Sequence, residues 1–295
     1  MARIVVIGSG SIGGYFAVEA ARNGHEVVLC SRSPFDSLRV TQLDGSVREL
    51  AVAARTDPRD AVEGEWVLLA TKAHQTDGAG GWLRSSCGSS TRGVVVMQNG
   101  VEHESRVHPY VGDTLVLPAI VLCGAEAVAP GEIVHHGFSN LEVPAGPLAS
   151  ELAALFTGTD ANVIATDDFT TAKWRKLVSN VTASAMTSLT LQRLAVMHRP
   201  DIQRLCIELA TECLRVGVAA GARVDPAEAE AMVLGMTTTN PEMGSSMLYD
   251  RLAKRHMEHD SLTGAVVRVG AELGVPTPFN AAILALLSAV SDAHT

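Results

Sequence analysis

Near its start the chain runs Ile4-Val5-Val6-Ile7 and opens directly into Gly8-Ser9-Gly10-Ser11-Ile12-Gly13. Glycines at this spacing belong where a first strand turns into a first helix. Gly8 permits the tight turn, Gly10 lets the backbone approach a pyrophosphate, and Gly13 lets the helix pack closely. The phosphates would lie at the helix N-terminus, where unpaired N–H groups and the helix dipole favour negative charge. Glycine-rich turns are common, so the flanks carry the weight. A helix-forming stretch, 15–22, follows, and then a second apolar strand, Glu26-Val27-Val28-Leu29-Cys30. Gly8, Ser9, Gly10, Ser11, Ile12 and Gly13 are therefore expected to bind a dinucleotide.

The end of that second strand bears on which one. A carboxylate there would hold a ribose 2′-hydroxyl, whereas an arginine accommodates a 2′-phosphate. The chain reads Cys30-Ser31-Arg32-Ser33, with no acid. Arg32 can pair with a phosphate bidentately, and the flanking serines can donate hydroxyls. A solvated loop arginine is the other reading. The expectation is NADP.

The first half of the chain alternates short apolar runs with glycine- and charge-rich connections. Strands are expected at Arg3–Ile7, Glu26–Cys30, 66–70, 94–97 and 114–117. That alternation predicts a parallel, doubly wound sheet of the Rossmann type. After Gly124 the segments 131–136 and 140–144 read as a hairpin-type addition, and 161–165 as a last strand. From Asp168 onward strand signals stop, and amphipathic stretches follow at 170–196, 201–221, 226–237, 256–274 and 278–292. Two of these carry start signals, Asp225-Pro226-Ala227-Glu228 and Thr277-Pro278, each a cap followed by proline. The fold expected is α/β plus all-α, with a dinucleotide domain over 1–167 and a helical substrate domain over 168–295.

Composition narrows the partners. A length of 295 residues is enough for two domains, and 47% hydrophobic with 19% charged residues marks a globular chain. A formal charge of -9, with no basic stripe interleaved with aromatics, argues against nucleic acid. The five cysteines form no CxxC, and Cys30, Cys206 and Cys213 fall in expected elements, so reduced, buried thiols in a cytoplasmic protein are expected. No secretory signal precedes the first strand, and the apolar run 281–290 is too short to span a membrane, so no membrane partner is expected. His135-His136 and the pair His256 and His259 lack a third ligand, so no metal site is expected.

Candidate chemistry lies in both halves. Thr71-Lys72-Ala73 and Gln98-Asn99-Gly100 each follow a parallel strand, where ligands bind in open α/β sheets, although Asn-Gly is also an ordinary turn dipeptide. Further on, Lys176, Asn180 and Ser184 fall at i, i+4 and i+8 and would share one helix face. An ammonium beside an amide suits a carbonyl: one donates a proton as charge develops, the other orients the substrate. On spacing alone, a solvated polar stripe explains the same pattern. Gly244-Ser245-Ser246 could bind a carboxylate at a helix start or merely cap it, and Glu258 and Asp260 could be ligand contacts or dipole-stabilising acids.

Taken together, the motifs resemble the ketopantoate reductase family along the whole chain. The resemblance rests on Gly8-x-Gly10-x-x-Gly13, Arg32, Thr71-Lys72-Ala73, Gln98-Asn99-Gly100-Val101, Trp174-Arg175-Lys176-Leu177-x-x-Asn180, Ser245-Ser246-Met247-Leu248-x-Asp250, Glu258-x-Asp260, and Gly264 with Val275-Pro276-Thr277-Pro278. It implies a catalytic cleft between a Rossmann domain and a helical domain, and hydride transfer from NADPH to the 2-keto carbon of ketopantoate. It implies Lys176 as proton donor, and Asn180, Ser184 and Ser246 as substrate contacts. Asn99 and Lys72 would lie beside the nicotinamide and its ribose, Asn99 and Lys176 would also contact the substrate, and Glu258 would contact cofactor or substrate. A monomer or homodimer is expected.

The chain departs from the family pattern on the substrate side. Ser184, Met243 and Thr263 stand where asparagines are usual, which points to a larger or more apolar 2-keto acid as an alternative substrate. A D-2-hydroxyacid dehydrogenase on the same scaffold and a non-catalytic NADP sensor are the other readings. Arg32→Ala is expected to raise KM for NADPH far more than KM for NADH; equal effects in steady-state assays would remove the 2′-phosphate argument.

Overall fold

The computed structural model describes residues 1–293, and the chain divides into two compact units. One comprises Met1–Asn99 and His103–Phe169; the other comprises Gly100–Glu102 together with the chain from Thr170 onward. The short segment Gly100–Glu102 thus counts with the helical unit although it lies within the first stretch of sequence. Residues 294 and 295, included in the helical domain expected from the sequence, lie outside the described residues.

The first unit opens with β1 (Arg3–Ile7), α1 (Ser11–Arg22) and β2 (Glu26–Cys30). Two short antiparallel strands follow, β3 (Ser37–Thr41) and β4 (Val47–Ala51). β5 (Trp66–Leu69), α2 (Thr76–Ser86), β6 (Gly93–Val96), α3 (His103–Val111) and β7 (Val116–Pro118) complete a parallel sheet of order β2-β1-β5-β6-β7. Every residue of β5 and β6 is buried, as a parallel sheet covered on both faces requires. Alternate side chains feed two cores. Val5, Ile7, Val67, Leu69, Val94 and Val96 pack with Trp82, Leu83 and Val107 of α2 and α3. Ile4, Val6, Leu68 and Val95 pack with Tyr15 and Phe16 of α1.

A second sheet lies on the far side of α1. It contains β8 (Ile120–Ala129), β9 (Glu132–Pro144) and, after α4 (Pro147–Ala154), β10 (Asn162–Thr166). Its order is β10-β9-β3-β4, with β8 paired to β9. Here the structure corrects the sequence reading twice. The β3–β4 pair, with its half-exposed alternation, falls in a region read as connection. The segments 131–136 and 140–144 are one strand rather than two arms of a hairpin; the arm opposite β9 is β8. The interruption between them is a bulge, with Gly137 at φ 111° and Phe138 at φ 55° and a register shift beside Gly124.

α1 is therefore enclosed. It packs on β1 and β2 and also on β3, β8 and β9, and its residues from Gly13 to Ala20 are all buried. A Cβ on Gly14 would come within 2.3 Å of Ile133 Cδ1, so the second sheet can approach this closely only over a glycine. The Tyr15 hydroxyl meets Ser139 Oγ at 2.7 Å, and Ser139 Oγ lies 3.1 Å from His135 Nε2, which makes His135 a satisfied core histidine. The fully buried Glu19 carboxylate accepts from Arg22 at 2.8 Å, from Arg48 at 2.6 Å and from the Asp160 amide at 3.0 Å.

Among the described residues the second unit has no strand. It consists of α5 (Phe169–Ser179, whose first residue belongs to the first unit), α6 (Ala185–Thr190), α7 (Pro200–Ala219), α8 (Ala229–Met236), α9 (Ser246–Leu252), α10 (Ala265–Glu272) and α11 (Pro278–Asp292). Cys206, Leu209, Ala210, Cys213, Leu214 and Val216 of α7 are fully buried at its centre. The five cysteines are free, and burial pushes the Cys30 and Cys206 thiols up to about 12, which leaves them inert. No helix among the described residues is long and apolar enough to cross a membrane.

The helix expected over 170–196 is not a uniform α-helix and stops at Thr190. A single π turn, Asn180–Ser184, separates α5 from α6, and α6 ends at Leu191 with φ 56°. A second π turn, Asp260–Gly264, precedes α10. Of the two cap signals, Asp225 forms a full capping box with Glu228. Thr277 makes no side-chain cap bond. Instead the buried Glu212 carboxylate of α7 accepts from the Phe279 and Asn280 amides at 2.9 Å each and from Asn280 Nδ2 at 2.8 Å. Charge-assisted bonds to a buried helix start are strong, so Glu212→Ala is expected to cost about 3 kcal/mol in urea unfolding, with Glu212→Gln losing less. Equal, sub-kilocalorie effects would show that the cap is idle.

Candidate active site

Each unit carries half of the candidate chemistry. In the first, Gly8 has φ 95°, and a Cβ on it would strike the Thr71 amide nitrogen at 2.7 Å. A Cβ on Gly13 would sit 2.0 Å from the Gly8 carbonyl oxygen and 2.9 Å from Ala70 Cβ, so the start of α1 presses directly on the turn before it. Gly10 is exposed and open, with nothing within 4 Å of where its Cβ would be. It is the N-cap of α1 and offers no side-chain cap bond, and the first turn holds no acidic residue. The leading N–H groups of α1 are therefore left for an anion, and the open backbone at Gly10 fits a pyrophosphate. Ser9, Ser11 and Ile12 are half-buried around this turn, Ile12 against the core.

Arg32 stands exposed just beyond β2, where Ser31 Oγ accepts from the Ser33 amide at 3.3 Å. The structure adds a residue that the sequence reading missed. Arg55 pairs beside Cys30, its carbonyl accepting from the Ser31 amide at 2.9 Å, and so brings a second guanidinium-bearing residue to the end of β2. Nothing local in the sequence signals this, because the pairing spans two dozen residues of irregular chain.

Lys72 and Asn99 follow β5 and β6, at the carboxyl edge of the sheet. Both are half-buried. What joins their loops is Gln98, only 4% exposed. Its Nε2 donates to Thr71 Oγ1 at 3.0 Å and to Thr76 Oγ1 at 2.9 Å, while its Oε1 accepts from Arg106 at 3.1 Å and its carbonyl meets His103 Nε2 at 2.9 Å. The sequence motif included Gln98 without a role; the structure makes it the brace between the two loops.

In the helical unit Lys176 lies in the last turn of α5, and Asn180 and Ser184 mark the two ends of the π turn. The regular α-helical stack expected for the three is thus corrected. Thr182 donates to the Val178 carbonyl at 2.6 Å, Thr187 to Ala183 at 2.7 Å and Ser188 to Ser184 at 2.7 Å. Such back-bonding hydroxyls share carbonyls with the helix ladder, as those of Thr190 and Thr211 do in regular α-helix. Asn180 and Ser184 are buried, and burial holds the Lys176 ammonium below the ordinary lysine range. Its Nζ reaches Ser179 Oγ at 3.5 Å.

Ser245, not Ser246, caps α9: its Oγ accepts from the Leu248 amide at 3.1 Å and meets Thr187 Oγ1 at 2.7 Å. That bond ties the start of α9 to α6 and leaves Ser246 exposed beside it. Glu258 is 3% exposed and precedes the second π turn, which packs against the first. The helical unit thus gathers Lys176, Asn180, Ser184, Ser246 and Glu258 on neighbouring elements, while Gly8 to Gly13, Arg32, Lys72 and Asn99 belong to the other unit. Of the departing positions, Met243 is exposed, and Thr263 is fully buried with a hydroxyl that finds no hydrogen-bond partner among the described residues. No three His, Cys, Asp or Glu residues among the described residues gather as a metal-holding group.

The family described as "Ketopantoate reductase PanE/ApbA" matches residues 4–147, and its C-terminal counterpart matches 168–291. The chain belongs to the ketopantoate reductase family. A 2-dehydropantoate 2-reductase of Caulobacter vibrioides is 36% identical over 99% of this chain and 100% of its own length. A solved family ketopantoate reductase from Ralstonia eutropha is 26% identical, covers 99% of both chains and superposes with a TM-score of 0.89. A D-mandelate dehydrogenase solved with NADH and anilino(oxo)acetate is 21% identical over 99% of both chains, with a TM-score of 0.88, a likeness of fold.

Proposed function

We propose that this chain reduces 2-dehydropantoate (ketopantoate) to pantoate, with NADPH as the reductant and Lys176 as the proton donor. The observation that carries the reading is the placement of Lys176, partly buried in the last turn of α5 with burial holding its ammonium below the ordinary lysine range, one turn before the buried Asn180 that opens the π turn. A surface stripe would keep its lysine hydrated. A desolvated ammonium gives up its proton more readily, which suits a general acid.

NADPH supplies a hydride to the 2-keto carbon. The open N-terminus of α1 and Gly10 accept the pyrophosphate, and Arg32 accepts the 2′-phosphate. Lys72 and Asn99, braced by Gln98, flank the ribose and nicotinamide. In the helical unit Asn180, Ser184 and Ser246 orient the keto acid, and Glu258 contacts cofactor or substrate. As the carbonyl carbon gains hydride, its oxygen takes a proton from Lys176 Nζ, and the neutral amine is then reprotonated from water. The partner is a small-molecule 2-keto acid, the setting is cytoplasmic, and the enzyme works as a monomer or homodimer, with no nucleic acid or membrane involved.

A second reading is supported by Met243 and Ser184. An exposed methionine and a short hydroxyl, where the family pattern has amides, suit a larger or more apolar 2-keto acid, as in a D-2-hydroxyacid dehydrogenase. A non-catalytic NADP sensor has no use for a desolvated proton donor. NADPH oxidation, followed by absorbance with ketopantoate beside branched and aromatic 2-keto acids, separates the three. Fast turnover of ketopantoate alone supports pantoate formation, preference for another acid supports the dehydrogenase, and NADPH binding without turnover supports the sensor.

Lys176→Ala is expected to lower kcat by about two to four orders of magnitude. A loss under about threefold would sink the assignment. Because the donor must carry its proton, kcat falls as pH rises through the Lys176 pKa. The alkaline limb of the kcat–pH profile is therefore expected below the ordinary lysine range, and to be absent in Lys176→Ala.

A further inference from the structure

The segment Gly100–Glu102 directly follows Asn99 and is held by the helical unit at three points. Val101 is 7% exposed within that unit's core, and its carbonyl accepts from Lys173 Nζ at 3.3 Å. Glu102 meets Arg268 of α10 as a fork: Nε to Oε1 at 3.2 Å and Nη2 to Oε2 at 2.8 Å. The same guanidinium donates to Asp260 Oδ1 at 2.7 Å and to the Asp260 carbonyl at 2.9 Å, on the second π turn. Gly264 makes room for it, since a Cβ there would lie 3.1 Å from Arg268 Nη1 and 2.9 Å from Asp260 Oδ1. Isolated, partly exposed ion pairs do little, but a bidentate fork tied into a four-bond network fixes geometry.

We propose that Arg268 is a positioning residue. By clamping Glu102 to the π turn that follows Glu258, it fixes where the chain leaves Asn99, and so sets the placement of Asn99 against the nicotinamide. This rests on the functional reading above. In this proposal Arg268 acts through Glu102 and the short path Glu102-Val101-Gly100-Asn99. Gly100, at φ 108°, is the pivot in that path.

The test compares wild type with Arg268→Met, Arg268→Lys, Glu102→Gln and the double variant Arg268→Met/Glu102→Gln. Misplacing a reacting group by about an ångström costs up to about 100-fold, so kcat is expected to fall about 10- to 100-fold in Arg268→Met at saturating NADPH and ketopantoate. KM for ketopantoate should change by less than about threefold, because the substrate contacts are elsewhere. Glu102→Gln should match that loss, the double variant should be no worse than either single, and Arg268→Lys should recover part of it. Independently of activity, amide hydrogen exchange at residues 99–102 in the cofactor-free chain should speed up in Arg268→Met and Glu102→Gln.

Unchanged kcat, additive losses or unchanged exchange would each overturn the clamp. Absence of ketopantoate turnover in the wild type would instead count against the proposed reaction, and the exchange measurement would still decide on the clamp. Should Arg268→Met fail to fold, the near-isosteric Glu102→Gln carries the same comparison.

Discussion

The burial of α1 on every side is the constraint on which the first unit depends. A surface helix can slide or tilt by repacking one face, but this one is pressed between two sheets. Its eight residues from Gly13 to Ala20 are all buried, and Gly13 and Gly14 admit backbone and Ile133 where any side chain would collide. The Glu19 carboxylate, paired with Arg22 and Arg48 in a dry setting, pins the other end. Removing both arginines would leave a buried carboxylate without a countercharge, so the arrangement is held from both termini. A helix fixed this firmly presents its uncapped N–H groups at one defined place, which is what the proposed pyrophosphate site requires.

The two units divide the chemistry by kind. The candidate groups of the first are chiefly backbone: an open helix start, a glycine turn and two loop ends braced by a single glutamine amide. In the proposed reading that cradle takes the phosphates and ribose and leaves the reacting carbon to the other unit. The candidate groups of the second are side chains on helices: a partly buried lysine, and an asparagine and a serine at the ends of a π turn. Widening one turn displaces the residues after it from the regular α-helical face while keeping the helix unbroken, and π turns recur at functional sites for that reason. Having two of them packed together concentrates irregular backbone where the proposed substrate contacts converge.

What the sequence made legible follows from which signals are local. The glycine fingerprint, the five parallel strands and the helical second half were readable, because buried parallel strands are short β-branched runs and amphipathic helices keep their period. The second sheet was only partly readable. β3 and β4 alternate weakly and expose half their residues, and a bulge at Gly137 and Phe138 made one strand look like two. Of the candidate site, Lys176 and Asn180 were visible as spacing, but the π turn was not, since nothing in the local sequence pattern marks where a helix widens. Glu212 and Arg55 were invisible for a different reason. Each acts on a segment distant in sequence, and no local pattern distinguishes a capping carboxylate on α7 from a solvated one.

The departures at Ser184, Met243 and Thr263 now have different physical weights. Met243 is exposed and anchored through its backbone, the carbonyl accepting from the Leu194 amide at 2.9 Å, so its side chain is free to meet an apolar ligand. Ser184 is buried at the end of the π turn, and its carbonyl already serves Ser188, so a shorter side chain there does not disturb the turn. Thr263 is the costly one. A fully buried hydroxyl without a protein partner loses its hydration for nothing, which costs about 1–3 kcal/mol unless a water or a ligand oxygen completes it. The three positions thus carry two hydroxyls and one thioether in place of the amides of the family pattern, which bears on the choice of 2-keto acid in the proposed reaction.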